Sequence, residues 1–222
     1  MSANVIVSYD GTPNDDDALM LGAALSHGGE SLALAYVRHS REIDPRREEL
    51  AQHDAERRLH SGMDLLGDQR VGAHVLFSGS TNEGLERLAA DEAATLIVFA
   101  SDYRTAPGRA EPGNTAQRLL DGGRLAIAVA RAGLRLSTDV PIRTLAAANP
   151  GDDLAVNVTV NAIAAKLGAD IVGSSANPDL IVVGSQRGVP SGTVALSGSA
   201  RSALNTARGS VLVLARDRPL TL

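Results

Sequence analysis

The sequence predicts an α/β chain built as two doubly wound parallel-sheet repeats, the second a reduced copy of the first. Three observations carry this. Runs such as LIVFAS (96–101), LAIAVAR (125–131), LIVVGS (180–185) and SVLVLAR (210–216) are rich in Val, Ile and Leu and lack polar alternation. That is the pattern of parallel strands covered on both faces. Helical patterns separate these runs, which implies right-handed β-α-β units. Finally, the segments match in pairs: LIVFAS with LIVVGS, LAIAVAR with SVLVLAR, and VIVSYDGTPNDDDALMLGAAL with the later IRTLAAANPGDDLAVNVTVNAIAA.

In chain order, the first matched segment reads as strand, turn and helix. Thr12 is the expected N-cap, Pro13 suits the first helical position, and Asp15 complements the helix dipole. Asn149, Pro150 and Asp152 take the same places in the second copy. Capping accounts for Asp15, Asp16 and Asp17, a metal site being the other reading. SLALAYVRH supplies a second strand. A charged helix follows from about Asp44 to Leu66, with Leu50, Leu59, Met63 and Leu66 as a loose apolar stripe and Asp54–Arg58 as an i,i+4 pair. His53 and His60 on that helix read as solvated residues rather than zinc ligands, which favour i,i+4 spacing and a third partner. VGAHVLF is a third strand, and Ser80-Thr81-Asn82-Glu83 opens a helix as a capping box.

Spacing separates the halves. Pro13 to Leu96 is 83 positions and Pro150 to Leu180 is 30, so the second half lacks 53 residues. The expected domains are 1–133, with five strands and four helices, and 141–222, which lacks the third strand and its flanking helices. DIVGS (170–174) is the candidate second strand of the reduced copy, and Arg131 to Pro141 is the junction. The last strands, Leu125–Ala130 and Val211–Ala215, are expected to pair antiparallel within one chain. Two sheets would thus form a pseudo-dimer, and a homodimer through the same strands is the other form of self-association.

Composition narrows the function. The 222 residues carry a net charge of −5 and only 2% aromatics, which disfavours a nucleic-acid partner. The absence of Cys excludes disulfides, thiolate metal sites and Cys nucleophiles. No apolar run is long enough for a membrane helix, and the first residues have no basic n-region, so a cytoplasmic protein is expected. Lys166 is the only lysine and lies in AAKLG, which removes a P-loop, and no Gly-x-Ser-x-Gly elbow occurs. Neither a nucleophile nor a metal cluster is apparent, so no enzyme activity is expected beyond the weak ATP hydrolysis that a family resemblance drawn below leaves open.

In an open parallel sheet, ligands bind beyond the carboxyl ends of the strands where strand order reverses. In the second half that loop runs Gly184-Ser185-Gln186-Arg187-Gly188-Val189-Pro190-Ser191-Gly192, and Gly198-Ser199 opens the last helix. Glycines admit an anion close to backbone N–H groups, and a helix N-terminus adds donors. An ordinary β-α connection with a Ser cap explains the same residues.

The order of elements and the stretch LIVVGS…Gly198-Ser199…SVLVLAR resemble a tandem universal stress protein (UspA-like), over nearly the whole chain. The resemblance implies a Rossmann-like sheet related to adenine-nucleotide-binding α/β folds. ATP-binding members carry Gly-x2-Gly-x9-Gly-[Ser/Thr/Asn] after the fourth strand and an Asp ending the first. It implies ATP or another adenine nucleotide as ligand, held by Gly184, Ser185, Gly188, Gly198 and Ser199, with one extra residue in the loop and Ala147 where the aspartate belongs. In the first half Asp10 matches the aspartate, Val37, after the second strand, matches a position whose backbone meets adenine, and Gly113-Asn114 match the final pair. There Ala100 and Tyr103 replace glycines and are expected to crowd the phosphate space. A stress-response protein acting through self-association and weak nucleotide binding is the function implied. A degenerate dimeric scaffold that binds none is the alternative.

Overall fold

The computed structural model describes residues 3–26, 31–68, 70–137, 142–148 and 153–220. Nine strands form one sheet rather than two. They are β1 (Val5–Ser8), β2 (Leu32–Arg38), β3 (Gly72–Phe77), β4 (Leu96–Phe99), β5 (Ala126–Val129), β6 (Thr144–Ala148), β7 (Asp170–Ile171), β8 (Leu180–Val183) and β9 (Ser210–Val213). Their spatial order is β3-β2-β1-β4-β5-β9-β8-β6-β7. Every neighbouring pair is parallel except β5 and β9, which run antiparallel with Ile127 opposite Val213, Ala128 opposite Leu212 and Val129 opposite Val211. This pairing merges the two expected sheets. It also gives each last strand a neighbour on both sides, so neither is an edge that a second copy of the chain can extend. The sheet ends instead at β3 and at the two-residue β7.

Among the described residues six helices cover it: α1 (Pro13–Leu25), α2 (Pro45–Leu66), α3 (Thr81–Glu92), α4 (Asn114–Leu120), α5 (Leu154–Leu167) and α6 (Gly198–Thr206). Residues of α1, α2 and α5 pack in one core layer with Val5, Leu34, Leu180 and Leu212. Residues of α3, α4 and α6 pack in the other with Ile6, Ile97, Val183 and Val213. Strands buried on both faces need apolar residues at every position, which is why the runs show no alternation. Leu50 is the exception in the α2 stripe and faces solvent, whereas Leu59 and Met63 are buried.

The helix starts follow local chemistry. In α1 the Thr12 N–H and hydroxyl both donate to Asp15 Oδ2, at 2.9 and 2.7 Å. Asp44 caps α2 by accepting from Arg47 N, and Ser80 caps α3 by accepting from Glu83 N. Helix α5 begins at Leu154 with Asp153 as its cap. The expected cap at Asn149, with Pro150 and Asp152, lies outside the described residues.

One offset of 84 residues carries β4 onto β8 (96 to 180), α4 onto α6 (114 to 198) and β5 onto β9 (126 to 210). The bonds between these elements keep that offset. Ser101 Oγ donates to Ala130 O and accepts from Glu111 N. Ser185 Oγ likewise donates to Leu214 O and accepts from Ala195 N. The two loops are therefore equal in length, and the extra residue inferred from glycine spacing is not there.

The segment after each last strand returns over its own half. After β5, a 3-10 turn (Leu134–Leu136) is held by Asp17 of α1, a carboxylate that is 1% exposed. Asp17 accepts from Gly133 N at 2.8 Å, Arg135 N at 2.7 Å and Arg135 Nη1 at 2.9 Å. After β9, Asp217 N donates to Asp153 and Leu220 N to Thr159 Oγ1.

Candidate functional site

Because β5 and β9 are antiparallel, the carboxyl ends of β1–β5 and of β6–β9 open at opposite ends of the sheet. Strand order reverses between β1 and β4 in the first half, and a cleft of about 210 Å³ lies there. It is lined by Asp10 from the β1–α1 loop, Asp15 from the first turn of α1, Ala100 and Asp102 after β4, and Gly113 to Ala116 at the start of α4. A second recess of about 270 Å³ adjoins it, sharing Thr81, Asn114 and Thr115 and adding His39 and Arg118.

The first cleft is acidic. Arg58 Nη1 donates to the Asp10 carbonyl at 2.9 Å and Arg58 Nε to Asp54 at 2.7 Å, which fixes the loop backbone. Asp15 accepts from Asp10 N and Thr12 N, so its carboxylate is committed to the turn. The carboxylate of Asp10 accepts no hydrogen bond from a described residue. Desolvation, then the charge of Asp15, push its pKa up, while Arg58 and His39 oppose the rise. Asp15 is also raised, chiefly by burial, against the lowering effect of the Thr12 bonds. His39 contacts Ser78 O through Nδ1 at 3.1 Å and the Thr81 hydroxyl through Nε2 at 3.4 Å. Gly113, the N-cap of α4, has no side-chain oxygen to offer the first turn.

Of the first-half residues, Asp10, Gly113 and Asn114 meet in this cleft. Val37 lies within β2 rather than after it. Its side chain is buried toward Gly84 of α3, and the register that pairs Ser8 with Ala35 sets its backbone level with Asp10. Ala100 lines the cleft, but Tyr103 leaves it free: the ring is 72% exposed with the Arg104 guanidinium over it at 4.9 Å. The loop turns this side chain outward, so the crowding expected from a tyrosine in place of a glycine does not occur.

In the second half each predicted residue has a local role. A Cβ on Gly184 would stand 2.7 Å from Asp153 Cβ and 2.8 Å from Val156 Cγ2, so this glycine lets α5 approach β8. Ser185 is fully buried, and its hydroxyl is spent on Leu214 and Ala195. Gly188 takes a left-handed turn at φ 87°. Gly198 is the first residue of α6, whose cap is Ser197. The Ser199 hydroxyl meets that of Ser197 and lines a different recess with Ala148, Ser174 and Arg208. Ala147 is not the counterpart of Asp10: β-sheet register sets it in line with Val7, beside Val182 as Val7 is beside Val98.

His39, Thr81, Thr115 and Arg58 were missed by sequence reading. Thr81 sat in the capping-box motif and His39 just past a strand, but neither signal distinguishes a cleft residue from a loop residue. Among the described residues, no group of three or more His, Asp or Glu is placed to hold a metal ion. No helix there is long and apolar enough to cross a membrane.

No family model and no curated protein matches the sequence. Solved structures do match the fold. A universal stress protein from Archaeoglobus fulgidus aligns over 97% of this chain and 100% of its own, with a TM-score of 0.62 and 13% identity. The fold is that of the universal stress proteins. A putative universal stress protein from Pseudomonas aeruginosa UCBPP-PA14 aligns over 97% of this chain and 92% of its own, at 0.62 and 15% identity. A protein of unknown function from Pseudomonas aeruginosa PAO1 does so over 97% and 93%, at 0.60 and 14%.

Proposed function

We propose that this chain is a universal-stress-type protein of the stress response, a cytoplasmic binding module without enzymatic turnover. It is read as two copies, 1–133 and 141–222, self-associated within one chain. Its ligand is an adenine nucleotide, bound weakly, in the Asp10 cleft of the first half rather than at the second-half glycines. The observation that carries this is the carboxylate of Asp10. It lines the cleft at the strand-order reversal and accepts no hydrogen bond from a described residue, the state of a group open to a ligand rather than spent on the fold. Asn114 and Thr115 flank it with polar groups. Ala100, where the resemblance wants a glycine, keeps the affinity low. A scaffold that binds no nucleotide is the second reading, favoured by Ala100 and by the three carboxylates in the cleft, Asp10, Asp15 and Asp102.

ATP titration followed by thermal shift separates the readings. Binding at one hundred times Kd adds about 2.7 kcal/mol, or about 5–11 °C for a chain of this size. Asp10→Ala abolishes the shift and Gly198→Val leaves it. No shift at millimolar ATP establishes the scaffold, and a shift lost only with Gly198→Val returns the site to the second half.

A further inference from the structure

A recess of about 660 Å³ lies at the seam of the two halves, away from the Asp10 cleft. Its walls are Thr95 and Arg124 to Ala126 on one side, and Pro190 to Thr193, Ala215 and Arg218 to Leu220 on the other. Loop 190–194 is held rigidly: Gly192 N donates to Arg216 O at 2.7 Å, Arg216 N to Thr193 O at 3.0 Å, and Val194 N to Gly123 O at 2.8 Å. Preformed walls and this size suit a small-molecule ligand.

The charge of the lining is one-sided. The guanidinium groups of Arg124 and Arg218 make no hydrogen bond or ion pair with a described residue, and no carboxylate lines the recess. Arg218 lies along the loop, its Nε 3.7 Å from where a Cβ on Gly192 would stand. At the same offset of 84 (134 to 218), Arg218 corresponds to the buried Leu134, so the mirror position is filled by the 3-10 turn while this one is open. Arg124 corresponds to Arg208, so Arg218 is what distinguishes this recess from its mirror. Its floor is apolar, from Leu125, Ala126, Ala215 and Leu220.

We infer that the seam recess binds a small organic phosphate, its head group between Arg124 and Arg218 and its apolar stem on the floor beside Leu125 and Leu220. Guanidinium forks match phosphate oxygens, and the hydroxyls of Ser191 and Thr193 add donors.

The test is titration of the full chain with phenyl phosphate, read by calorimetry. Phenyl phosphate binds and phenol does not. Arg124→Ala and Arg218→Ala each weaken binding by about 10–100-fold, and the melting temperature of the unliganded variants stays at the parent value. Asp10→Ala leaves this binding intact, which separates the result from the outcome at the first-half cleft. Absence of binding at about 10 mM phenyl phosphate, equal binding of phenol, or undiminished binding in the double variant overturns the inference.

Discussion

Three consecutive aspartates, Asp15, Asp16 and Asp17, look alike in sequence and do three different things. Asp15 closes the β1–α1 turn, Asp16 accepts from the Tyr9 hydroxyl, and Asp17 is buried under the segment that leaves β5. Only the first role was legible, because capping is decided within four residues, whereas the partners of Asp17 lie 116 and 118 positions away. Asp17→Ala strips the acceptor from three N–H groups and is expected to cost about 3–5 kcal/mol in urea denaturation. Asp10 behaves oppositely. Its folded pKa lies above its ordinary value of 3.8, so the folded chain holds this proton more tightly than the unfolded one. The stability it contributes is complete below pH 3.8 and is lost as pH rises through the folded value. Asp10→Asn is therefore expected to stabilise the protein at pH 7, by less than about 1 kcal/mol since the group faces solvent. The gain vanishes at pH 3. Denaturation midpoints at the two pH values check this, and a variant less stable than its parent at pH 7 contradicts it.

Among the elements, strands and most helix starts were legible because buried parallel strands are uniformly apolar and caps are local. The loops after β4 and β8 were not. Glycine spacing was aligned as if each glycine marked the same place, yet the bonds of Ser101 and Ser185 fix a register in which Gly113 corresponds to Ser197. Glycine serves close packing at one position of this loop and nothing visible at another. Gly184→Ala is expected to destabilise by about 1–3 kcal/mol, because Asp153 Cβ and Val156 have no room to retreat. Gly198→Ala meets open space in α6 and is expected to stabilise by up to about 1 kcal/mol. Thermal melts of the two variants moving in the same direction would refute this account of the loop.

At the scale of the whole molecule, the two core layers each run through both halves, so the chain is expected to unfold in one cooperative transition. A fragment of residues 141–222 loses the partner of β9 and exposes Val211 and Val213, which are fully buried in the intact chain. It is expected to aggregate or stay partly unfolded, and sharp, dispersed NMR signals from it alone would contradict this. The antiparallel seam rests on only three residue pairs. Between separate molecules so short a contact would come apart on dilution. Here the stretch from Ala130 to Arg143 joins the two halves in one chain, and such a tether sets a local concentration in the millimolar range. The pairing therefore persists at any copy number, and one chain always delivers one assembled unit.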